Sequence, residues 1–292
     1  MEENKDCKKS DHDIFAQGFC GLFLVKKIDQ RDGSLIDFGI LIEFRKEEKM
    51  NSKNTKRIEN YKEFFTKEYL MGPNSLRLLD EMLEKYPLKE GSRVMDLGCG
   101  MGITSMFLAK EAKVNVFATD LWISATQNAE NFKKWNVEDR IIPIHADAND
   151  LPYSHEYFDA IVSIDAFHYF AAKKGVFEEK ILPFLKKDGV LVVAMPGLKE
   201  ELNEEQTEAM LDWFEGNKDD LDTFHSRKWW LELFADNDEY EVVLDLDLDC
   251  FNEAWQDWFE SGHKYGIKDK KYFDRGLGEY LSFIGIVIRR KK

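Results

Sequence analysis

Cysteine is scarce and scattered in this chain. Its four thiols (Cys7, Cys20, Cys99 and Cys250) form no C-x-x-C pair and no Cys/His cluster at zinc spacing. Neither a disulfide scaffold nor a metal site is therefore expected. Long apolar runs are missing too, since none approaches the roughly 18 residues of a membrane-spanning helix. The first ten residues are charged and lack the apolar stretch of a secretory signal. Together these absences predict a reduced, cytoplasmic setting. Positive charge is in deficit, with 41 Lys+Arg against 56 Asp+Glu and a net charge of −15. Such a chain repels phosphate backbones and anionic lipid, so neither nucleic acid nor a membrane surface is an expected partner. Internal repeats and low-complexity tracts are also absent.

What is present suits a large globular core: 292 residues, 43% hydrophobic and 33% charged. The acidity is local. Residues 199–262 hold 21 acids and 4 bases, a net of −17, which leaves the remainder at +2. The bulk of the chain can therefore tolerate an anionic ligand.

The patterning changes along the chain. Gly21–Ile28 and Ser34–Phe44 read as two strands joined by the turn-rich residues 29–33. A hairpin alone is marginal in water, so this piece must dock or stay loose. Met50 opens a polar, basic stretch leading to a helix with aromatics at Tyr61, Phe64, Phe65 and Tyr69. Pro73 suits a first helical turn, and an apolar stripe of leucines with Met82 runs from there to about Lys85. Strands and helices then alternate. Strands are predicted at 93–97, 115–119, 141–145, 160–164 and 190–195, with helices at 103–111, 124–135 and 175–185. Short, nearly continuous apolar runs between amphipathic helices indicate parallel strands buried on both faces, hence a doubly wound α/β sheet. Beyond Pro196 the spacing loosens. Acidic helices are predicted at 201–215 and 226–235, a strand at 241–246, an aromatic helix at 252–262 and a last strand at 280–288.

The decisive residues are Asp96-Leu97-Gly98-Cys99-Gly100-Met101-Gly102, which close the first strand of the α/β pattern and open a helix. Glycines there let backbone approach a ligand and turn sharply into a helix N-terminus, as in dinucleotide-binding folds. Two details separate this loop from those. Its third glycine falls one position too early for G-x-G-x-x-G. Asp96 also lies two residues before the first glycine, where a carboxylate suits a cationic ligand end and not a pyrophosphate. A nicotinamide-dependent oxidoreductase is disfavoured on both counts.

In these residues the chain resembles the class I S-adenosylmethionine-dependent methyltransferases, in particular the type 11 group, well over 56–199 and loosely beyond. The resemblance implies a Rossmann-like seven-stranded sheet with S-adenosylmethionine as cofactor. It implies that Gly98, Cys99, Gly100 and Gly102 wrap the methionine part and that Asp96 holds its amino end, often through water. Asp120 follows Asp96 by 24 residues, at the end of the second strand. A carboxylate there can accept two hydrogen bonds from ribose hydroxyls. Leu121 and Trp122 would flank the adenine, and Ala146, Asp147 and Ala148, with Asp147 as acceptor, would meet its amino group. Asp165, at the exit of the fourth strand, completes the cofactor set. The implied organisation is an N-terminal extension over 1–49 and a methyltransferase domain over 50–292. Late, acidic, helical segments at about 198–236 and 250–278 would lie on its substrate side.

Methyl transfer from a sulfonium is an in-line displacement with a neutral leaving group, so alignment and water exclusion outweigh acid–base work. His168, Tyr169 and Tyr153 are the candidates for a base near the mouth. Cys99 reads as a small loop filler, and His168 has both a catalytic and a structural reading. The leading expectation is a small-molecule methyltransferase. Other readings are a lipid-modifying relative of the cyclopropane fatty acid synthases and a non-catalytic, cofactor-binding regulatory module. The −17 segment suggests an amine or other cationic acceptor, with Trp213, Phe214, Trp229, Trp230, Trp255 and Trp258 offering ring faces to an ammonium. The same features also suit a solvated acidic face and a tryptophan-rich core. Geometry separates the two, because a substrate role needs carboxylates and an indole in the cavity.

Overall fold

The computed structural model describes residues 57–235 and 237–292, together with the backbone of three strands nearer the N-terminus. The chain divides into two units, residues 1–57 and 58–292. In the first, β1 (Ala16–Phe19), β2 (Leu22–Ile28) and β3 (Leu35–Asp37) form an antiparallel sheet in that order. The sequence predicts two strands here, and the structure adds Ala16–Phe19 ahead of them. Positions 38–44 and the expected boundary at 49/50 lie outside the described residues.

In the second unit α1 (Ser75–Lys85) leads into β4 (Arg93–Leu97), α2 (Ile103–Phe107), β5 (Asn115–Asp120), α3 (Ala125–Lys134) and β6 (Ile141–His145). The chain then crosses back through β7 (Phe158–Ile164), α4 (His168–Ala171) and β8 (Leu185–Leu198). It finishes with α5 (Glu204–Trp213), α6 (Lys218–Leu221), α7 (Arg227–Leu233), β9 (Tyr240–Asp247), α8 (Phe251–Glu260), α9 (Lys264–Phe273) and β10 (Leu281–Arg290). The strands form one seven-stranded sheet in the order β6-β5-β4-β7-β8-β10-β9, with β10 antiparallel to both neighbours. The pairs among β6, β5, β4, β7 and β8 are all parallel. This is the Rossmann-like sheet expected of a class I methyltransferase.

Successive strand residues point to opposite faces, and both faces are buried. Val94, Ala118, Val162 and Val192 join one core with Leu76, Phe107 and Trp255, while Met95, Ile161, Leu191 and Val193 join the other with Phe158 and Trp230. Strand order reverses between β4 and β7, and a crevice at the carboxyl ends of such strands is where doubly wound sheets bind ligands.

Several local expectations are corrected. The aromatic helix over 61–69 is a single 3-10 turn at Lys62–Phe64, because Tyr61 and Phe64 pack inward on Phe107 and Trp135. Pro73 stands outside α1. Asn74 caps that helix, its side chain accepting from the Leu76 amide at 3.1 Å. The helix expected over 175–185 is a π turn at Phe177–Ile181 and a 3-10 turn at Leu182–Phe184, where Pro183 lacks the N–H that a helix needs. β8 consequently begins at Leu185, five residues earlier than Val190. The short α6 and α9 fall inside the helical segments expected at about 198–236 and 250–278, although the pattern does not mark them as separate helices. Among the described residues no helix is long and apolar enough to cross a membrane.

Candidate functional site

β4 ends at Leu97 and delivers the glycine loop to the crevice. The loop is sewn to β5, since the Gly98 and Cys99 amides donate to the Thr119 carbonyl at 2.8 and 3.2 Å. Two glycines are required by geometry. Gly98 has φ +79°, and a Cβ there would overlap that of Ala166 beyond β7. Gly102 has φ +84°, and a Cβ there would stand 2.5 Å from the Phe132 ring on α3.

Asp120 closes β5 and organises the loop. One carboxylate oxygen accepts from the Gly100 amide at 2.8 Å, and the other accepts from the amides of Trp122 and Ile123, each at 2.8 Å. Cys99 is buried, and Asn128 Nδ2 donates to its Sγ at 3.5 Å and to the Gly100 carbonyl at 3.0 Å. Burial, then the nearby Asp96 and Asp120, push this thiol well up, which keeps it protonated and inert.

These elements enclose a cavity of about 370 Å³, inside the roughly 300–1,000 Å³ range of small-molecule sites. Leu97–Met101 form one wall, Thr119–Trp122 a second, Ala146–Asn149 one end, and Ile164–Ala166 with Tyr169 and Phe170 the other side. Tyr69, Met71, Gly72, Pro73 and Ser75 cover it. The cover is anchored on α8. The Asn74 amide donates to the Ala254 carbonyl at 3.0 Å, its side-chain nitrogen donates to Asp257 at 2.7 Å, and Arg77 pairs with the same carboxylate.

The lining holds three carboxylates, Asp120, Asp147 and Asp165, and no Lys, Arg or His. A pyrophosphate would find no counter-charge there, whereas a ligand with hydroxyls at Asp120 and a positive end elsewhere is matched. That donor set fits S-adenosylmethionine. Among the described residues no group of three or more His, Cys, Asp or Glu is arranged to hold a metal.

Of the residues singled out from the sequence, the fold brings Gly98, Cys99, Gly100, Asp120, Leu121, Trp122, Ala146, Asp147, Ala148, Asp165 and Tyr169 onto one cavity. Four others are placed elsewhere. Asp96 lies behind the loop, buried, with Oδ2 accepting from Thr104 Oγ1 at 2.7 Å and Ser105 Oγ at 2.6 Å. Burial raises its pKa to about 6 against the opposing pull of those two hydroxyls. Gly102 faces α3, where it serves packing. Tyr153 points into the opposite core against Phe158, shares a 2.6 Å hydrogen bond with Thr119 Oγ1, and has its pKa pushed up by burial to about 12. It is no base at the mouth.

His168 is fully buried against Tyr169 and Phe224, off the cavity wall, and neither ring nitrogen has a hydrogen-bond partner among the described residues. Burial holds its pKa down at about 3. The ring is therefore neutral in the folded protein, while the unfolded chain protonates near 6.5. Stability should consequently fall as pH drops from about 6.5 toward 3, by up to about 1.4 kcal/mol per pH unit from this group. Denaturant melts of His168→Phe and the parent at pH 7 and pH 5 check this. The variant should lose less on acidification, and an unchanged pH dependence would refute the assignment.

The six late aromatics are also corrected. Trp230, Trp255 and Trp258 are buried in the core, and Trp229 stacks on His225 at 3.6 Å. Trp213 and Phe214 stack on each other at 4.6 Å, and none of the six lines the cavity. The indole N–H groups of Trp213 and Trp258 both donate to Asp269 at 2.8 Å, which ties α5 and α8 to α9. Sequence reasoning missed the cover residues Met71, Gly72 and Pro73. The Gly-Pro pair before the α1 cap was their only signal.

Comparison with known proteins agrees with this architecture. A family model described as "Methyltransferase domain" matches residues 88–258, more than half of the chain. The chain belongs to this methyltransferase-domain family. Among curated relatives, 27-O-demethylrifamycin SV methyltransferase of Amycolatopsis mediterranei is 31% identical over 94 residues, 32% of this chain and 35% of that protein. Erythromycin 3''-O-methyltransferase of Saccharopolyspora erythraea is 33% identical over 122 residues, 40% and 38% of the two chains. The chain thus spans a little over a third of these relatives' length. Geranyl diphosphate C-methyltransferase from Streptomyces coelicolor A3(2) shares the fold at a TM-score of 0.56 and 18% identity, covering 74% of each chain. Coclaurine N-methyltransferase does so at 0.56 and 20%, covering 75% of this chain and 70% of that one.

Proposed function

We propose that this chain transfers the methyl group of S-adenosylmethionine to a small-molecule acceptor that carries an amine or another cationic centre. The observation that carries the cofactor half is the Asp120 carboxylate at the end of β5, braced by three backbone amides in a cavity without a basic side chain. In this reading Asp120 accepts from ribose hydroxyls, Leu121 and Trp122 lie along the adenine, and Ala146–Ala148 meet its amino edge. Gly98, Cys99 and Gly100 border the methionine part. When bound, the cofactor supplies a methyl group on a sulfonium that departs as a neutral thioether. The chain's own work is then to hold the reactants in line and keep water out, which the cover residues Met71, Gly72 and Pro73 do.

No residue of the −17 segment lines the cavity, so the acceptor half rests instead on the cavity's own three carboxylates and on ring faces at the mouth. Tyr169, which lines the cavity, is 52% exposed there and presents its ring to the mouth. A mouth with negative field and aromatic faces favours a cation, with each ring contact worth about 0.5–2 kcal/mol. An amine also asks for less than a hydroxyl or carbon acceptor, because the lining offers no histidine or lysine as base.

The test is a tritium-labelled methyl donor incubated with a metabolite extract and fractionated on a cation exchanger. Label is expected in the retained fraction. Label confined to neutral or anionic products would overturn the amine assignment, and no transfer at all would overturn the methyltransferase reading. Residues 58–292 contain the whole seven-stranded sheet and the cavity. A chain beginning at Met50 is therefore expected to bind S-adenosylhomocysteine as the full chain does. Loss of soluble protein or of binding would show the first strands to be integral.

A further inference from the structure

We infer that Asp257, on α8 and outside the cavity, is a positioning residue that holds residues 71–73 across the cavity and so sets how long the spent cofactor stays bound. The inference rests on the cofactor reading above and adds to it a control on release. By composition Asp257 is one of the 21 acids of residues 199–262, with nothing to set it apart from a solvated face. The fold treats it differently. Its side chain is 15% exposed, close to the 14% of Arg77. A carboxylate so far out of water needs donors, and three come from the start of α1. Asn74 Nδ2 donates to Oδ2 at 2.7 Å, Arg77 Nε donates to the same oxygen, and Arg77 Nη2 donates to Oδ1 at 3.2 Å.

Asn74 passes this hold to the cavity. It is fully buried, and each of its polar groups is engaged. Its side-chain oxygen caps α1, its side-chain nitrogen reaches Asp257, its amide donates to the Ala254 carbonyl at 3.0 Å, and its carbonyl accepts from the Arg77 amide at 3.0 Å. Ala254 and Asp257 stand about one turn apart on α8, so that helix grips Asn74 at two points. Pro73 adjoins it, with φ fixed by its ring, and Gly72 and Met71 lie beyond. Met71 sits over the glycine loop, where a Cβ on Gly100 would stand 3.0 Å from its Sδ. Gly72 lies against the β7 exit, where a side chain would collide with Asp165. The strap therefore spans the cavity from one wall to the other. Little else fixes it there, since Met71 is 48% exposed and the amides of Met71 and Gly72 have no hydrogen-bond partner among the described residues. S-adenosylhomocysteine must leave after each transfer, so the strap has to yield once per turnover, and its tie to α8 sets how readily it does.

The test is stopped-flow dissociation of S-adenosylhomocysteine from the full chain. Asn74→Ser keeps a helix-capping oxygen and leaves the Arg77–Asp257 pair whole, but its side chain has no nitrogen to reach α8. Asp257→Asn keeps the shape and replaces one accepting oxygen with a donor. Each should speed dissociation by about fivefold or more while association stays within about twofold, and the double variant should be no faster than the faster single one. Trp258→Phe is the control. It loses the neighbouring hydrogen bond to Asp269 and should lower the melting temperature, yet leave dissociation within about twofold. Unchanged dissociation in both tie variants, independent effects that multiply in the double variant, or an equal acceleration in Trp258→Phe would overturn the positioning role and leave the methyltransferase reading intact. Failure of the parent chain to bind S-adenosylhomocysteine would overturn both.

Discussion

Asp120→Ala is expected to weaken S-adenosylhomocysteine binding at least about tenfold, since the carboxylate keeps an acceptor site free for a ribose hydroxyl beside the three amides. Charge-assisted hydrogen bonds of this kind contribute about 1.5–3 kcal/mol each. The structure adds a second route to the same loss. The carboxylate also holds the amides of Gly100, Trp122 and Ile123, so its removal frees both the glycine loop and the segment after β5. Two walls of the cavity would then have to be ordered by the ligand itself, which costs further affinity. The fold should survive, because Asp120 sits at the end of β5 and not within its paired interior. Asp120→Asn retains an acceptor oxygen and should fall between the parent and the alanine variant. Calorimetry together with a thermal melt checks this. Unchanged affinity in the alanine variant would sink the ribose assignment.

Gly98→Ala is expected to abolish cofactor binding and to destabilise the protein by about 2–5 kcal/mol, the sum of a left-handed backbone cost and overpacking. Gly98 adopts φ +79°, and its Cβ would overlap that of Ala166. Both atoms are bonded directly to backbone, so no rotamer change can relieve the clash. β4 and the β7 exit would have to separate at the position where the cavity opens. Gly216 supplies the control, with φ +83° and nothing within 4 Å of where a Cβ would stand. Gly216→Ala should carry the backbone cost alone, about 1–2 kcal/mol, and bind S-adenosylhomocysteine normally. Equal behaviour of the two variants would show that crowding at Gly98 does not matter.

Both substitutions fall on residues that the amino-acid sequence alone marks out, and the reason is local. A β-strand followed by a glycine-rich turn and a helix is specified by neighbours in sequence, so the order of strands and the carboxylate closing β5 could be read directly. The positions of Gly98, Gly100 and Asp120 belong to that class. So do the parallel pairing and the general site of the crevice, which follow from alternating short apolar runs and amphipathic helices.

Which way a side chain faces across the loop depends on partners that lie elsewhere in the chain. Asp96 reads as a ligand because it stands two residues before a glycine, yet the hydroxyls of Thr104 and Ser105 on the facing helix claim it first. His168 and Tyr153 read as residues of the mouth, but aromatic packing turns both away from it. The acidic, tryptophan-rich segment posed the sharpest ambiguity, since a core and a cation trap share one composition. Contacts between distant parts of the chain resolved it. Trp213 meets Asp269 across 56 positions, and Asn74 meets Asp257 across 183. Local pattern carries no record of such partners, because the burial that makes them favourable exists only once the elements have packed. The sequence by itself therefore determined the sheet, the glycine loop and the carboxylate that closes β5. Only the tertiary structure decided that the late indoles are core, that residues 69–75 cover the cavity, and that Asp257 holds that cover in place.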